Sequence, residues 1–506
     1  MRKILIAASL CLASAAQAQK IPDARPYAKT ITAEDLKKHL YIVASADFEG
    51  RETATEGQHK VADYIEDHFK SMGLQPGNGD HYKLPYPVYQ DSLENASLSV
   101  GGQAFTLNQD FFAPTGSNNN LTLLGSEVVF AGYGNDDSTR NDYKDLNVRG
   151  RIVVVLNGNP PGTPAPTGRR RFGPTKQDFA QRNGASAVLI LWKGDRVPPQ
   201  LTASKANMSV SEYRRTNSVN NFYITDKVAR AIFGDDYGRL ESGTPLSRVY
   251  TADIKMSLQK TTHRLEASDV LGFLPGTDLK DQIVVISAHM DHLGIRNGEI
   301  YYGADDDGSG TVSLLELASA FAKARDAGKG PRRSILFLAN SGEEEGLWGS
   351  AFYTDHPTYP LDHTTVDLNI DMIGRVDPHR NYGDSMNYVY VVGSDKLSTD
   401  LRPISEGTNK KFTKLELDYK FDDPKDPQRI YYRSDHFNFA RKGVPIIFYF
   451  DGIHADYHRP TDTPDKIDYG LMAKRAQLVF FTAWDMADRN DMLRRDIALP
   501  VTAATR

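Results

Sequence analysis

The chain has a single cysteine, Cys11, in 506 residues, which excludes a disulfide framework and thiolate-based metal sites. That cysteine lies in residues 1–18, where Arg2 and Lys3 precede an apolar run that ends in the small-x-small sequence AQA. This arrangement predicts a Sec-type signal peptide over residues 1–18. Its removal would leave a mature chain without thiols, so any metal site must use histidine and carboxylate ligands.

Long apolar runs are also missing. The apolar part of residues 1–18 is shorter than the ~20 residues that a bilayer span needs, which disfavours the alternative of an N-terminal membrane anchor. Leu10 stands before Cys11, where a lipoprotein signal normally has a small residue, and this disfavours a lipid anchor. No later run of about 18 apolar residues exists, so we expect a soluble protein of the periplasm or the extracellular medium.

An excess of one charge is absent as well, because 60 Lys and Arg face 65 Asp and Glu, for a formal net charge of -5. This balance excludes a polycationic nucleic-acid-binding protein, and the 40% of hydrophobic residues exclude a disordered chain. We therefore predict a globular exported protein with no nucleic-acid partner and no membrane span.

The mature chain is predicted to fold as one domain with an insertion. Residues 19–95 and 263–492 form that domain, a strand-rich unit over residues 96–262 interrupts it, and residues 493–506 are a C-terminal tail. Apolar strands alternate with helices in the second part, which predicts an α/β fold with a mostly parallel mixed sheet covered by helices on both faces. Ligands of such sheets bind at the carboxyl ends of the strands, so chemistry is expected at that edge.

Histidines and acids cluster at five places along the predicted sheet. The clusters are His289, Asp291 and His292; Asp305, Asp306 and Asp307; Glu343, Glu344 and Glu345; Asp371; and His454 and His458. Taken singly, a hydrogen-bonded strand-end histidine, an acidic helix cap or a surface loop accounts for each about as well. Taken together, nitrogen and oxygen donors without sulfur suit zinc, cobalt or manganese. Two histidines and three acids, one of them shared, suffice to hold two ions about 3.5–4 Å apart, as in two-metal aminopeptidases.

The order AHMDH, GADDDGSG, GEEEGLWGS, NIDMIG, SDHFNF and YHRPTDT resembles the M28 family of zinc peptidases. Residues 96–262, with EVVFAGYG, NDYKDLNVRGRIVVVLNG and GASAVLIL, resemble a protease-associated (PA) domain, and EGRETATEG resembles the N-terminal segment of the M28 family. The two resemblances together cover nearly the whole mature chain.

The M28 resemblance implies a site for two Zn²⁺ ions, with Co²⁺ or Mn²⁺ as substitutes. It implies that His289 and Asp371 bind one ion, that Glu344 and His458 bind the other, and that Asp306 bridges them.

The same resemblance implies the catalytic groups. Alignment on the Gly-Leu that follows the three glutamates makes Glu343, directly before the ligand Glu344, the general base. Asp291 matches the acid that orients the first histidine ligand, and a cis peptide bond is expected between Asp306 and Asp307.

Two further residues keep two interpretations each. Tyr457 matches a tyrosine that hydrogen-bonds the tetrahedral intermediate in some relatives, or it only packs. Asp435, in the SDH motif, either contacts the substrate or supports the fold.

The resemblance implies a secreted or periplasmic di-zinc exopeptidase, most of all an aminopeptidase in which Glu343 takes a proton from a water that the ions activate. A carboxypeptidase of the glutamate carboxypeptidase type would use the same metals with a basic pocket. A glutaminyl cyclase would use one zinc, and a receptor-like binding protein would have substituted ligands, so five intact ligand matches disfavour both. The expected partners are peptides, with the PA-like unit contacting substrate or a partner protein; side-chain preference and oligomeric state stay open.

Overall fold

The structure, a computed structural model, describes residues 21–163, 174–196, 208–213, 218–423 and 425–498. The predicted signal peptide with Cys11 and the end of the predicted tail lie outside these residues. The chain separates into two units, one made of Met1–Tyr86 and Ala267–Arg506 and the other of Pro87–Glu266. Within the described residues, no helix combines the length and the apolar character that a membrane span requires.

Four parallel strands occupy the middle of the sheet in the first unit. In spatial order they are Ile446–Phe450, Thr364–Ile370, Leu279–His289 and Arg333–Asn340. Antiparallel neighbours flank them: Tyr388–Val392 on one side, itself paired in parallel with Glu416–Asp418, and residues 270–274 on the other, at the end of the strand Leu246–Leu274. The predicted α/β class with a mixed, mostly parallel sheet is confirmed.

Side chains alternate between the two faces of this sheet along each strand, and each face packs into a core cluster of its own. Val284 and Ile286 pack into one core cluster, whereas Ile283 and Val285 pack into another. The helices that contribute to the first cluster are Arg25–Ala28, Ala33–Val43, Glu56–Ser71, Gly310–Asp326, Leu401–Phe412 and Tyr469–Asp488. Trp348–Asp355 and His436–Ala440 contribute to the second.

The strands in the middle of the unit Pro87–Glu266 pair in parallel. Its parallel strands are Leu121–Phe130, Ile152–Leu156, Ala187–Leu191 and Asn220–Ile224. The remaining elements are the strands Lys83–Val100, Gln103–Phe105, Phe111–Phe112 and the first part of Leu246–Leu274, and the helices Lys176–Arg182 and Asp226–Phe233. Its identity as a PA domain stays a prediction.

A buried arginine, Arg51, ties together the segments that carry the predicted site. It is 0% exposed, and its guanidinium donates four hydrogen bonds of 2.8–3.0 Å to backbone carbonyls. The acceptors are the carbonyl oxygens of Val43, Met290, Tyr302 and Gly303. Burial lowers the pKa of Arg51 to about 10, so the guanidinium is charged at neutral pH.

Replacing Arg51 with methionine is expected to lower the free energy of unfolding by about 3–5 kcal/mol, because four buried carbonyls lose a charged donor. Urea unfolding of the variant measures this loss. Arg25→Met is the control, since Arg25 is exposed and pairs only with Asp23, and its expected effect is within ~1 kcal/mol. Equal stability of the two variants would contradict the role assigned to Arg51.

Candidate metal centre

The four parallel strands deliver the predicted ligands at their carboxyl ends. His289 is the last residue of its strand, Asp371 directly follows Ile370, and Glu344 lies in the turn after Asn340. His458 lies in the loop that follows Ile446–Phe450. The fifth predicted ligand, Asp306, comes from the turn Ala304–Ser309 that opens the helix Gly310–Asp326. Residues as far apart in sequence as His289 and His458 thus meet at one edge of the sheet, as the strand-end rule predicts.

His289, Asp306 and Asp371 form one buried donor group. The Nε2 atom of His289 lies 3.3 Å from Oδ1 of Asp306 and 3.5 Å from Oδ1 of Asp371. Two ligand atoms of a tetrahedral zinc ion, each ~2.0–2.2 Å from the metal, lie about 3.3–3.6 Å apart. The spacing of these three atoms fits a shared ion.

Glu344 and His458 form a second donor group with the other oxygen of Asp306. The Nε2 atom of His458 lies 3.1 Å from Oδ2 of Asp306 and 3.0 Å from Oε2 of Glu344. Asp306 therefore turns one carboxylate oxygen toward each group. This is the arrangement of a carboxylate that bridges two ions.

Several of these atoms are buried without a hydrogen bond. Nε2 of His289, Oδ2 of Asp306 and Oε1 of Glu344 have no hydrogen-bond partner among the described residues. Burying polar atoms without partners is costly, and a cation removes that cost. Imidazole and carboxylate donors are the ligands that zinc accepts in the absence of thiolates. The residues present therefore fit a pair of zinc ions.

The acidic triplet Asp305, Asp306 and Asp307 uses only its middle residue at the site. Asp305 accepts the N–H of Gly374 at 2.7 Å, and Asp307 accepts the N–H of Gly310 at 2.8 Å. The peptide bond between Asp306 and Asp307 is cis, as the resemblance implies, and this expectation is confirmed.

The second ring nitrogen of His289 is oriented differently from the expectation. Nδ1 lies 3.1 Å from the backbone carbonyl oxygen of Asp291 and 3.6 Å from its carboxylate. The carboxylate instead accepts the Glu343 N–H at 3.2 Å and the Thr53 hydroxyl at 2.8 Å. Asp291 thus holds His289 through its main chain, and its side chain positions Glu343. Either carbonyl or carboxylate leaves the Nε2 lone pair of His289 free for a metal.

Glu343 stands beside the donor groups without joining them. Its Oε2 atom lies 4.0 Å from Nε2 of His289, and its side chain lines a cavity with Asp306 and Asp371. Burial and the nearby carboxylates, including Asp371, raise the pKa of Glu343 well above its ordinary value, although His289 opposes them. Glu345 lies outside both donor groups, which agrees with the register that assigns the base to Glu343.

The two carboxyl groups of the second donor group, those of Asp306 and Glu344, both have lowered pKa values, which favours their charged forms. Burial alone would raise the pKa of Asp306, but the imidazoles of His289 and His458 hold it well below its ordinary value. The pKa of Glu344 is lowered as well, because His292 and His458 outweigh burial and the charge of Asp306.

The same cavity also has an apolar lining. Its apolar lining is Met372, Ile430, Phe448, Phe450 and Ile453. Tyr457 lies on its wall with its ring stacked on His458, and Arg433 donates a hydrogen bond of 3.0 Å from Nη2 to its hydroxyl oxygen. Arg433 was missed by sequence reasoning; its place directly before the SDH motif was the available signal.

Asp435 is 0% exposed and accepts a hydrogen bond from the Ser350 hydroxyl. Burial raises the pKa of Asp435 to about 7. It is not among the residues that line the described cavity. Of its two interpretations, this position favours support of the fold over contact with substrate.

Similarity to known proteins extends over the part of the chain that carries this centre. Residues 269–483 match peptidase family M28, so the family resemblance is confirmed. Over 239 residues, 46% of this chain and 61% of the relative, the sequence is 29% identical to a protein named probable leucine aminopeptidase from Arthroderma otae. The chain spans about three fifths of the length of the first curated relatives that it matches.

Two solved structures share the fold. An aminopeptidase from Aneurinibacillus sp. strain AM-1 superimposes with a TM-score of 0.55 at 20% identity, covering 94% of this chain and 98% of that one. BSAP, a zinc aminopeptidase from Bacillus subtilis, superimposes with a TM-score of 0.54 at 19% identity, covering 95% and 100%. At these identities the likeness establishes the fold alone.

Proposed function

We propose that this chain, an M28 peptidase over residues 269–483, is an exported di-zinc aminopeptidase that removes N-terminal residues from peptides. The observation that carries the proposal is the carboxylate of Asp306, which faces His289 with one oxygen and His458 with the other. The names of the relatives support the peptidase class, and the histidine and carboxylate donors support zinc.

Two zinc ions, when bound, supply Lewis acidity for the scissile carbonyl and lower the pKa of water toward ~7. Glu343 then accepts the proton of the attacking water and delivers it to the leaving amine. A pKa raised by burial suits this role, because it makes the Glu343 carboxylate a stronger base toward water. The N–H of Glu343, held by Asp291, fixes the turn that presents its carboxylate.

Tyr457 is the donor proposed for the oxyanion. Burial raises the pKa of Tyr457 well above its ordinary value, so the phenol keeps its proton. Its oxygen already accepts a hydrogen bond from Arg433, which leaves the O–H free to point into the cavity. A donor placed beside the ligands can stabilise charge that develops only in the transition state.

Replacing Tyr457 with phenylalanine is expected to lower kcat by about 100-fold and to leave KM nearly unchanged, because the lost hydrogen bond forms mainly in the transition state. Steady-state kinetics on an aminoacyl chromogenic substrate measures both constants. Tyr382→Phe is the control, since Tyr382 is 43% exposed, donates its hydroxyl to Asp418 and does not line the cavity. An unchanged kcat for Tyr457→Phe would leave the residue a packing role.

The cavity supports an apolar N-terminal side chain as the preferred one, because half of its lining residues, those other than the acids of the centre, Arg433 and Tyr457, are aliphatic or aromatic. Arg433 is also the observation that favours the second candidate, a carboxypeptidase, since a guanidinium on the cavity wall suits a carboxylate. Its hydrogen bond to Tyr457 gives it another function, and this makes the aminopeptidase the better supported activity.

The test combines metal analysis with substrate choice. The purified mature protein is assayed for zinc and incubated with aminoacyl chromogenic substrates, their N-blocked forms and peptides ending in glutamate. About two zinc ions per chain and cleavage of unblocked substrates alone are expected. Cleavage confined to the blocked, glutamate-ended peptides would replace the proposal with a carboxypeptidase, and a chain that binds zinc without cleaving anything would contradict both.

A further inference from the structure

A third histidine, His292, reaches the second donor group, and the M28 motifs assigned it no role. Its side chain is fully buried, with Nδ1 2.9 Å from Oε1 of Glu344 and 3.9 Å from Oδ2 of Asp306. His292, Asp306 and Glu344 together satisfy the spacing of a metal-holding group. The ring also contacts that of His458 edge to face, at 5.9 Å between centroids.

The contact between His292 and Glu344 is close without being a hydrogen bond. Nδ1 of His292 and Oε1 of Glu344 are both buried, and neither has a hydrogen-bond partner in the described part of the chain. An imidazole nitrogen and a carboxylate oxygen this near repel each other unless a proton or a metal cation lies between them, and their geometry does not meet the criteria of a hydrogen bond. A common cation is the arrangement that satisfies both atoms and also Oδ2 of Asp306.

The ring of His292 is held where it stands. Gly303 has φ +54°, and a Cβ atom on it would lie 2.4 Å from Cγ of His292. The glycine backbone therefore packs closely against the imidazole ring. The His292 N–H donates to the carbonyl oxygen of Arg51 at 3.2 Å, and the Arg51 guanidinium binds the carbonyl of Gly303 at 2.9 Å. Arg51 therefore holds both the backbone of His292 and the glycine that packs against its ring, as in a ligand that is oriented before its ion binds.

We propose that Nδ1 of His292 is a fourth protein ligand of the ion held by Asp306, Glu344 and His458. The inference rests on the proposed di-zinc function. It gives the two metal positions different numbers of protein ligands. The first position has three protein ligands, which leaves room for water and substrate, whereas the second has four, as closed zinc sites do. The second ion is accordingly the tighter of the two and the last to leave during chelation.

The experiment measures zinc affinity independently of activity. Metal-free protein and its His292→Gln variant are titrated with zinc against a chromophoric chelator, and the cobalt-loaded forms are compared by visible absorption. We expect the tighter of the two affinities to fall at least about 10-fold in the variant, the weaker one to stay unchanged, and the cobalt spectrum to change. Circular dichroism of the metal-free forms checks that both are folded.

Matched variants separate the possible failures. His458→Gln is expected to weaken the same position, whereas His39→Gln, which alters a partly buried histidine 3.3 Å from Glu316, leaves both affinities unchanged. A His292→Gln variant with both affinities and the cobalt spectrum of the parent would overturn the inference while leaving the di-zinc function intact. A parent protein that binds fewer than two ions would contradict the proposed function instead.

Discussion

Replacing Glu343 with glutamine is expected to lower kcat by about 10²–10⁴-fold while both zinc ions stay bound. The amide has the size of the carboxylate but accepts no proton, and the Glu343 carboxylate belongs to neither donor group. Zinc content at the parental value and a lost turnover together identify a base. Stopped assays on an unblocked aminoacyl substrate, with metal analysis of the same sample, measure both quantities.

The neighbouring glutamates make this prediction specific. Glu344→Gln is expected to lose zinc along with activity, because Glu344 lies 3.0 Å from His458 within the second donor group. Glu345→Gln is the matched control and should keep both, although burial raises the pKa of Glu345 to about 7. Full turnover in Glu343→Gln, or zinc loss in it, would move the base to another residue.

The fold was largely predictable because strands buried on both faces are continuously apolar. The run Ile283 to Ser287 predicted a strand that the structure extends to Leu279–His289, since backbone pairing continues beyond the apolar residues. The helix Tyr469–Asp488 begins after Asp468, a typical N-cap residue whose carboxylate accepts the N–H of Leu471 at 2.9 Å. Strand order followed from no sequence pattern, because it depends on long-range pairing.

The site was predictable where a motif sits directly at a strand end, as His289 and Asp371 do. How close His292 and Arg433 lie to the ligands was not predictable, since this depends on how the loops fold back. In the sequence, His292 is a loop residue next to Asp291. Its contacts with Glu344 and Gly303 in the structure show that its ring faces the second donor group. Asp291 is next to His289 as expected, but the sequence does not show that its carbonyl oxygen lies closer to Nδ1 of His289 than its carboxylate does.

Replacing Asp306 with alanine is expected to remove both zinc ions and all measurable activity. Each affinity should fall by more than about 100-fold, because a shared ligand is lost from both positions at once. Asp371→Ala and Glu344→Ala each remove a ligand from one position only, so each should cost one ion. Zinc titration of the three variants, with apo-protein circular dichroism, measures the difference.

The comparison tests bridging itself, since a ligand of one ion and a shared ligand differ in how many ions they release. Asp326→Ala, at the exposed end of the helix Gly310–Asp326, should keep both ions and full activity. If Asp306→Ala retained one ion at parental affinity, Asp306 would be a terminal ligand. Its two oxygens, 3.3 Å from His289 and 3.1 Å from His458, argue for the shared role, because each oxygen faces the histidine of a different donor group.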